Sequence, residues 1–357
     1  MPRIVHLASG REWRGGQRQV LILAAALARS EQVDSVVVTG QGTELATRLT
    51  AAGVPIFVVP WSLGLDPRVA LYALSALQPG AILHAHDSHA HALADAISRM
   101  RDTPIVVTRR VTLPIKNPQR YRRADAVIAI SSAVRDVLLR ANVQPARIHV
   151  IPDAVDIAHV KGVHAWPAEL PAVPDGTPLL VCVAALTREK GVDVLLEAAA
   201  LLRATHPGAR WIVLGEGPER AALEARRATL GLEAVVTLAG FVNEPESVLR
   251  TATIAVQPSL SEGLGSSVLD ALALGIPVVA SRAGGLPDAL AHGGGVLVAP
   301  NAPAQLAGEV ARLLDDGVER ARLGHQGPMA AGHFGIDQLV QRTLDVYRSV
   351  AERQGAR

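Results

Sequence analysis

Two acidic residues eight positions apart, Glu262 and Asp270, frame the stretch "SEGLGSSVLDALALG" at residues 261–275. Gly263 and Gly265 follow the first acid, and an apolar run carries the second. The preceding "IAVQPSL" has the continuous apolar character of a buried strand, so the segment reads as strand, Gly-rich loop and helix. Ser266 or Ser267 is placed to cap that helix, which Gly275 stops. Small residues leave the N–H groups at a helix start open to an anion, and the helix dipole favours one there. Eight residues of helix would rise about 12 Å, whereas paired carboxyls flanking one glycosidic bond stand ~5–9.5 Å apart. The acids therefore read as two grips on one extended ligand, with a phosphate between them. The bland alternative is a capped surface helix with Asp270 solvated.

Four further stretches carry candidate chemistry. In "LTREKGVDVL", Arg188 and Lys190 stand in a loop between strand and helix, where they can reach a phosphate. The loop lacks the spaced glycines and Lys-Ser/Thr pair of a Walker A motif, and a solvated charged turn is its alternative. In "WRGGQRQ", Gly15 and Gly16 precede a helix, so backbone can approach a ligand closely. This is not the GxGxxG dinucleotide fingerprint, and a plain helix-entry turn would look the same. "HAHDSHAH" (residues 84–91) has four histidines and one aspartate, a donor set that could ligate a metal. It straddles a strand end and a helix start, however, so it reads rather as a polar rim with His86 best placed for substrate. "TRRVTLPIKNPQRYRRAD" (residues 108–125) holds six basic residues and no acid before Asp125. Such a run can approach anionic headgroups or an anionic acceptor, or be a solvated loop.

These stretches need a frame to position them. The chain has 357 residues, enough for two domains. Apolar residues are 49% and aromatics 3%, so the cores are built from Ala, Val, Leu and Ile. A formal charge of +2 is too mild to imply nucleic acid as a partner, even with a pI near 9.0. One cysteine, Cys182, excludes a disulfide framework and a Cys-based zinc site. With no signal-like apolar region at its start and no eighteen-residue apolar run, the chain is expected to be cytoplasmic, with surface contact to a membrane left open.

Short apolar runs ("RIVHLAS", "SVVVTG", "PIFVVP", "AILHAH", "PIVVTR", "AVIAIS") alternate with helical stretches such as "QRQVLILAAALARS" (residues 17–30). That rhythm predicts an α/β fold with a parallel sheet covered on both faces. It breaks at a Pro-rich stretch and restarts with "LLVCVAAL". Two doubly wound, Rossmann-like domains are expected: 1–165, a linker over 166–177, and 178–333, with a long amphipathic helix over 334–357. Ligands of such sheets bind at the carboxyl ends of the strands.

Taken together, the stretches resemble the large family-4 class of retaining glycosyltransferases, which have the GT-B fold of two Rossmann-like domains facing a cleft. "PSLSEGLGSSVLDALALGIPVVASRAGGLPDAL" is similar to the family's E-x7-E segment and the Gly-Gly loop after it. "VAALTREKGVDVLLEAAALL" is similar to its diphosphate-binding Lys segment, and "WRGGQRQVLILAAAL" to its N-terminal Gly-Gly loop. "WIVLGEGPERAAL" and "VTLAGFV" resemble its next two strand ends. The resemblance implies that Glu262 binds sugar hydroxyls and that backbone at Gly263, Leu264, Gly265 and Ser266 meets sugar and phosphates. It implies that Asp270 binds the ribose, that Lys190 neutralises the leaving diphosphate with Arg188 beside it, and that backbone at Phe241 and Val242 meets the base. Gly15 and Gly16 would lie near the phosphates, the C-terminal helix would cross back to the first domain, and no metal or cofactor would be needed. Three departures stand out: Asp270 replaces a glutamate, Ala185 stands where an arginine is usual, and Arg110 stands where a histidine is common.

The implied function is sugar transfer from a nucleotide-diphosphate sugar to an acceptor bound by the first domain. A lipid-linked or lipopolysaccharide-type cell-envelope acceptor at the membrane face is favoured. Two other classes stay open at this point: a sugar-nucleotide epimerase or hydrolase of the same architecture, and a non-catalytic sugar-nucleotide binding protein.

Overall fold

The computed structural model describes residues 2–61 and 67–355. The chain divides into two compact units, residues 1–154 with 336–357, and residues 155–335. Each unit is built on one wholly parallel sheet. In the first, β1 (Arg3–Ala8), β2 (Asp34–Gly40), β3 (Ile56–Val59), β4 (Ile82–Ala85), β5 (Ile105–Arg109), β6 (Ala126–Ala129) and β7 (Ile148–Val150) run in the order β3-β2-β1-β4-β5-β6-β7. In the second, β8 (Leu179–Val183), β9 (Arg210–Leu214), β10 (Val236–Gly240), β11 (Ile254–Gln257), β12 (Val278–Ser281) and β13 (Gly295–Val298) run in the order β10-β9-β8-β11-β12-β13.

The central strands β4, β6, β11 and β12 are buried at every position. Their unbroken apolar runs reflect helices covering both faces, since a strand with one wet face would alternate. In each sheet the winding reverses once, between β1 and β4 and between β8 and β11. Loops leaving neighbouring strands there diverge to opposite faces and open a crevice at their carboxyl ends. The candidate loops at Gly15–Gly16, His86, Arg188–Lys190 and Glu262 follow these four strands, and those at Arg110 and Phe241 follow β5 and β10.

Several boundaries differ from the sequence expectation. The first helix spans Gly15–Ala28, so Gly15 and Gly16 form its first turn instead of preceding it. First-turn N–H groups have no intrahelical acceptor, so glycine costs less there than further in. The second unit begins at Val155, and the Pro-rich residues 166–177 lie within it, with Leu170 buried. The C-terminal helix, Ile336–Gly355, belongs to the first unit. It buries Leu339, Leu344, Val346, Tyr347 and Val350 against Ile4, Ile22, Ile82, Val106 and Ile128. Among the described residues, no helix is long and apolar enough to cross a membrane.

Candidate functional site

The second unit's reversal point brings together the two residues that spacing alone could not join. Beyond β8 the chain makes a 3-10 turn, Arg188–Lys190, and Gly191 (φ 63°) starts the helix Val192–Leu202. Beyond β11 comes the loop holding Glu262. A Cβ on Gly191 would stand 2.2 Å from the Pro258 carbonyl oxygen, so only glycine lets the two loops approach this closely. The Glu189 carbonyl then accepts from Leu260 N–H (2.8 Å) and Ser261 N–H (3.1 Å). In this clasp the Lys190 ammonium donates to both oxygens of Glu262, at 2.8 and 2.7 Å. Ser259 Oγ (3.1 Å) and Gln257 Nε2 (3.4 Å) also donate to Glu262 Oε2, and Gly263 N–H to Oε1 (3.2 Å). Arg188 is exposed on the same turn and is not part of this cluster. Cys182 lies buried in β8, and burial pushes its thiol up to about 12, so it is an inert core residue.

The helix Ser266–Ala273 starts just past this pair. Neither serine caps it: the cap is Gly265 at φ 97°, with no side-chain hydrogen bond. This corrects the expectation for Ser266 and Ser267, and the reason is steric. Left-handed backbone at φ 97° strains any side chain at the cap, and a Cβ there would also press a Leu286 methyl at 2.8 Å. An uncapped start leaves first-turn N–H groups without side-chain acceptors, the arrangement that suits an anion. Leu264 is 2% exposed and anchors the loop. Asp270 sits one turn in and is 5% exposed, so it is not the solvated surface acid of the bland alternative. Only its C-terminal part of the interval from Glu262 is helical, so a rise computed over eight helical residues does not apply. Past β10, Phe241 is 55% exposed and Val242 buried.

The Gly-Gly loop after β12 fixes Glu262 from behind. Gly285 N–H donates to the Glu262 carbonyl (3.1 Å), and a Cβ on Gly284 (φ 55°) would stand 1.9 Å from that oxygen. Gly284→Ala is therefore expected to displace Glu262 and lower activity at least tenfold. Gly42→Ala, also at positive φ (70°) but in open space, should cost only about 1 kcal/mol of strain and leave activity intact. Side-by-side kinetics and thermal melts of the two variants check this.

At the first unit's reversal point, Gly16 lies beside Arg110, whose Cδ would be 3.9 Å from a Cβ there. Arg110 Nε donates to Asp153 Oδ1 (3.1 Å) and Nη1 to the His86 carbonyl (3.5 Å). Burial raises the Asp153 carboxyl, and the Arg110 charge opposes that shift. Asp87 caps the helix Ser88–Arg101 through the N–H groups of His89 and Ala90, and also accepts from Ser9 N–H (2.7 Å). The basic run is largely consumed internally. Arg109 donates to Tyr121 Oη (3.0 Å) and to the Leu113 carbonyl, Arg122 donates to the Ala141 carbonyl (2.8 Å), and Arg123 grips Asp95 with two bonds (2.8 and 2.7 Å). Lys116, Val111 and Leu113 are exposed.

His86 is not at a wet rim. Its ring is buried, with Nε2 2.9 Å from His6 Nδ1. His84, the register partner of His6, bonds Tyr347 Oη (2.6 Å) through Nδ1 and Thr108 Oγ1 (2.7 Å) through Nε2. One donor atom from each of the three rings falls within 4.8 Å of the others, close enough to consider a metal. The His6 and His86 rings are stacked at 21°, which sends their in-plane lone pairs along nearly parallel planes, and both nitrogens of His84 already have partners. The three rings form a buried ladder in which His6 bonds His86 while His84 bonds Tyr347 and Thr108. Burial drives His6 down to about 3 and His84 and His86 well below the usual range, with neighbouring His and Arg110 charges adding to the shift of the latter two. His6 gave no signal of its own, because its partners lie about eighty residues away. Gln257 did give one: it is a polar residue ending an otherwise apolar buried strand.

The chain is similar to known proteins in sequence and in fold. Residues 169–329 match the family model described as "Glycosyl transferases group 1", and residues 13–159 match "Glycosyltransferase Family 4". A D-inositol 3-phosphate glycosyltransferase of Acidothermus cellulolyticus is 32% identical over 308 residues, covering 77% of this chain and 68% of the relative. An alpha-D-kanosaminyltransferase of Streptomyces kanamyceticus is 29% identical over 76% of this chain and 78% of its own. In three dimensions, Anabaena HepE in complex with UDP-glucose superposes with a TM-score of 0.82 at 18% identity, over 99% of this chain and 100% of its own. The apo form of the lipopolysaccharide outer core galactosyltransferase WaaB has a TM-score of 0.74 at 18% identity, over 98% and 99%.

Proposed function

Because the chain belongs to glycosyltransferase family 4 and has the GT-B fold, we propose that this glycosyltransferase takes its sugar from a nucleotide-diphosphate sugar held by the second unit, and transfers it with retention of anomeric configuration. The observation that carries the reading is the Lys190–Glu262 pair, set beside the uncapped start of the helix Ser266–Ala273. Lys190 and that helix start supply fixed positive charge where a diphosphate leaving group becomes more negative, which is where electrostatic stabilisation acts on the transition state. Glu262 takes the sugar hydroxyls, Asp270 the ribose, and backbone at Gly263, Leu264, Gly265 and Ser266 the sugar and phosphates. Arg188 adds charge from the rim of the same turn, and backbone at Phe241 and Val242 lies against the base. Since the neutralising charge comes from the chain itself, the transfer needs no metal or cofactor.

The first unit takes the acceptor, with Arg110 and the backbone of His86 at its reversal point. A lipid-linked or lipopolysaccharide-type glycan at an anionic membrane surface fits the exposed Val111, Leu113 and Lys116. The name of the Acidothermus relative favours a second reading, in which the acceptor is a small cyclic polyol such as an inositol phosphate. Offering both acceptor classes with UDP-, GDP- and ADP-sugars, and following the new anomeric signal by NMR, tests the proposal. The expected product keeps the donor's anomeric configuration and forms equally well in EDTA. An inverted product, or loss of activity in EDTA that a divalent ion restores, would refute it. Sedimentation with anionic vesicles decides the membrane contact.

A further inference from the structure

The carboxylate proposed to grip the sugar has no acceptor capacity left. A carboxylate offers about four lone-pair sites. Glu262 receives Lys190 on both oxygens, Gly263 N–H on Oε1, and Ser259 and Gln257 on Oε2. A sugar hydroxyl can donate to Glu262 only if one of these leaves. Gln257 and Ser259 are held: both are buried, Gln257 Nε2 also donates to Ser259 Oγ (2.9 Å), and Gln257 Oε1 accepts from Ser267 Oγ (3.2 Å). Gly263 is backbone, fixed by the loop. Lys190 alone has a flexible stem, partial exposure and a competing anion, the diphosphate.

Resting on the donor reading above, we propose that Lys190 and Glu262 form a latch: the diphosphate draws Lys190 away, and only then does Glu262 accept the sugar. Diphosphate and sugar recognition become coupled, so a free sugar meets a closed carboxylate. Gln257 and Ser259 act as positioning residues that keep Glu262 aimed once the lysine has gone.

A double-mutant cycle on binding of UDP, GDP or ADP, whichever the wild type binds most tightly, tests the latch by titration calorimetry. Glu262→Gln removes the competitor for Lys190 and is expected to tighten the nucleoside diphosphate about five- to tenfold, although it removes a proposed donor contact. Lys190→Met is expected to weaken it at least tenfold. In the Lys190→Met background, Glu262→Gln should then change affinity less than twofold. Equal tightening in both backgrounds would mean a general charge effect and overturn the latch, as would no tightening in either. Failure of all three nucleotides to bind the wild type would instead overturn the donor reading itself. Should a variant not fold, a crystal structure of the wild type with bound nucleoside diphosphate decides. Lys190 Nζ beyond 4 Å from both Glu262 oxygens supports the latch, and an intact two-bond pair refutes it.

Discussion

Lys190→Ala and Glu262→Ala are each expected to lower kcat by about 10³-fold or more while the chain keeps its fold. Removing a single preorganised donor from a developing negative charge costs on the order of 10²–10³ in rate, and Lys190 brings a full charge. Each change also leaves its former partner, 23% or 11% exposed at the side chain, without its counter-charge. Both losses fall on one site, so the double variant should be little slower than either single one, as groups acting as a unit are non-additive. Far-UV circular dichroism and initial rates at saturating donor check the pair. Retention of a tenth or more of wild-type kcat in either variant would remove that residue from the reaction.

Acid should destabilise the first unit early. His6, His84, His86 and His91 all lie there, and burial is the leading cause of each downward shift. Their folded values lie below the unfolded value of about 6.5. The unfolded chain therefore binds more protons below that pH, and stability present above it is lost as pH falls towards the folded values. His6, at about 3, and His91, at about 4, each cost on the order of 1 kcal/mol between pH 7 and 5.5, and His84 and His86 add in the same direction. Against a typical total of 5–15 kcal/mol this is a large share. Urea midpoints at the two pH values, with hydrogen exchange to locate the opening, check it. Equal midpoints would contradict a buried neutral cluster.

Much of the architecture was legible because parallel strands covered on both faces leave unbroken apolar runs between helices. Lys190 and Glu262 could be picked out for the same reason: both lie in short loops just past such a run. What stayed hidden depends on which strands become neighbours. The register that sets His6 opposite His84 joins β1 to β4, and no local pattern encodes it. His86 was therefore read as a rim residue, although its ring belongs to the buried ladder. Ser266 and Ser267 match caps by residue type, but the cap falls one residue earlier, on Gly265, whose left-handed backbone (φ 97°) favours glycine. Gly15 and Gly16 looked like a turn, yet they extend the first helix where its N–H groups need no intrahelical partner. The basic run reads as a free cationic surface, while Tyr121, Asp153, Asp95 and backbone carbonyls claim four of its six basic residues.

The donor site is tested most directly by melting the wild type and Lys190→Ala with UDP-, GDP- and ADP-sugars in turn. A ligand bound only by the folded state at about a hundred times its Kd adds about 2.7 kcal/mol. At least one sugar-nucleotide class should raise the wild-type Tm by several degrees and the variant's by no more than half as much. No shift with any of the three, or an equal shift in the variant, would contradict a nucleotide-sugar site built on Lys190.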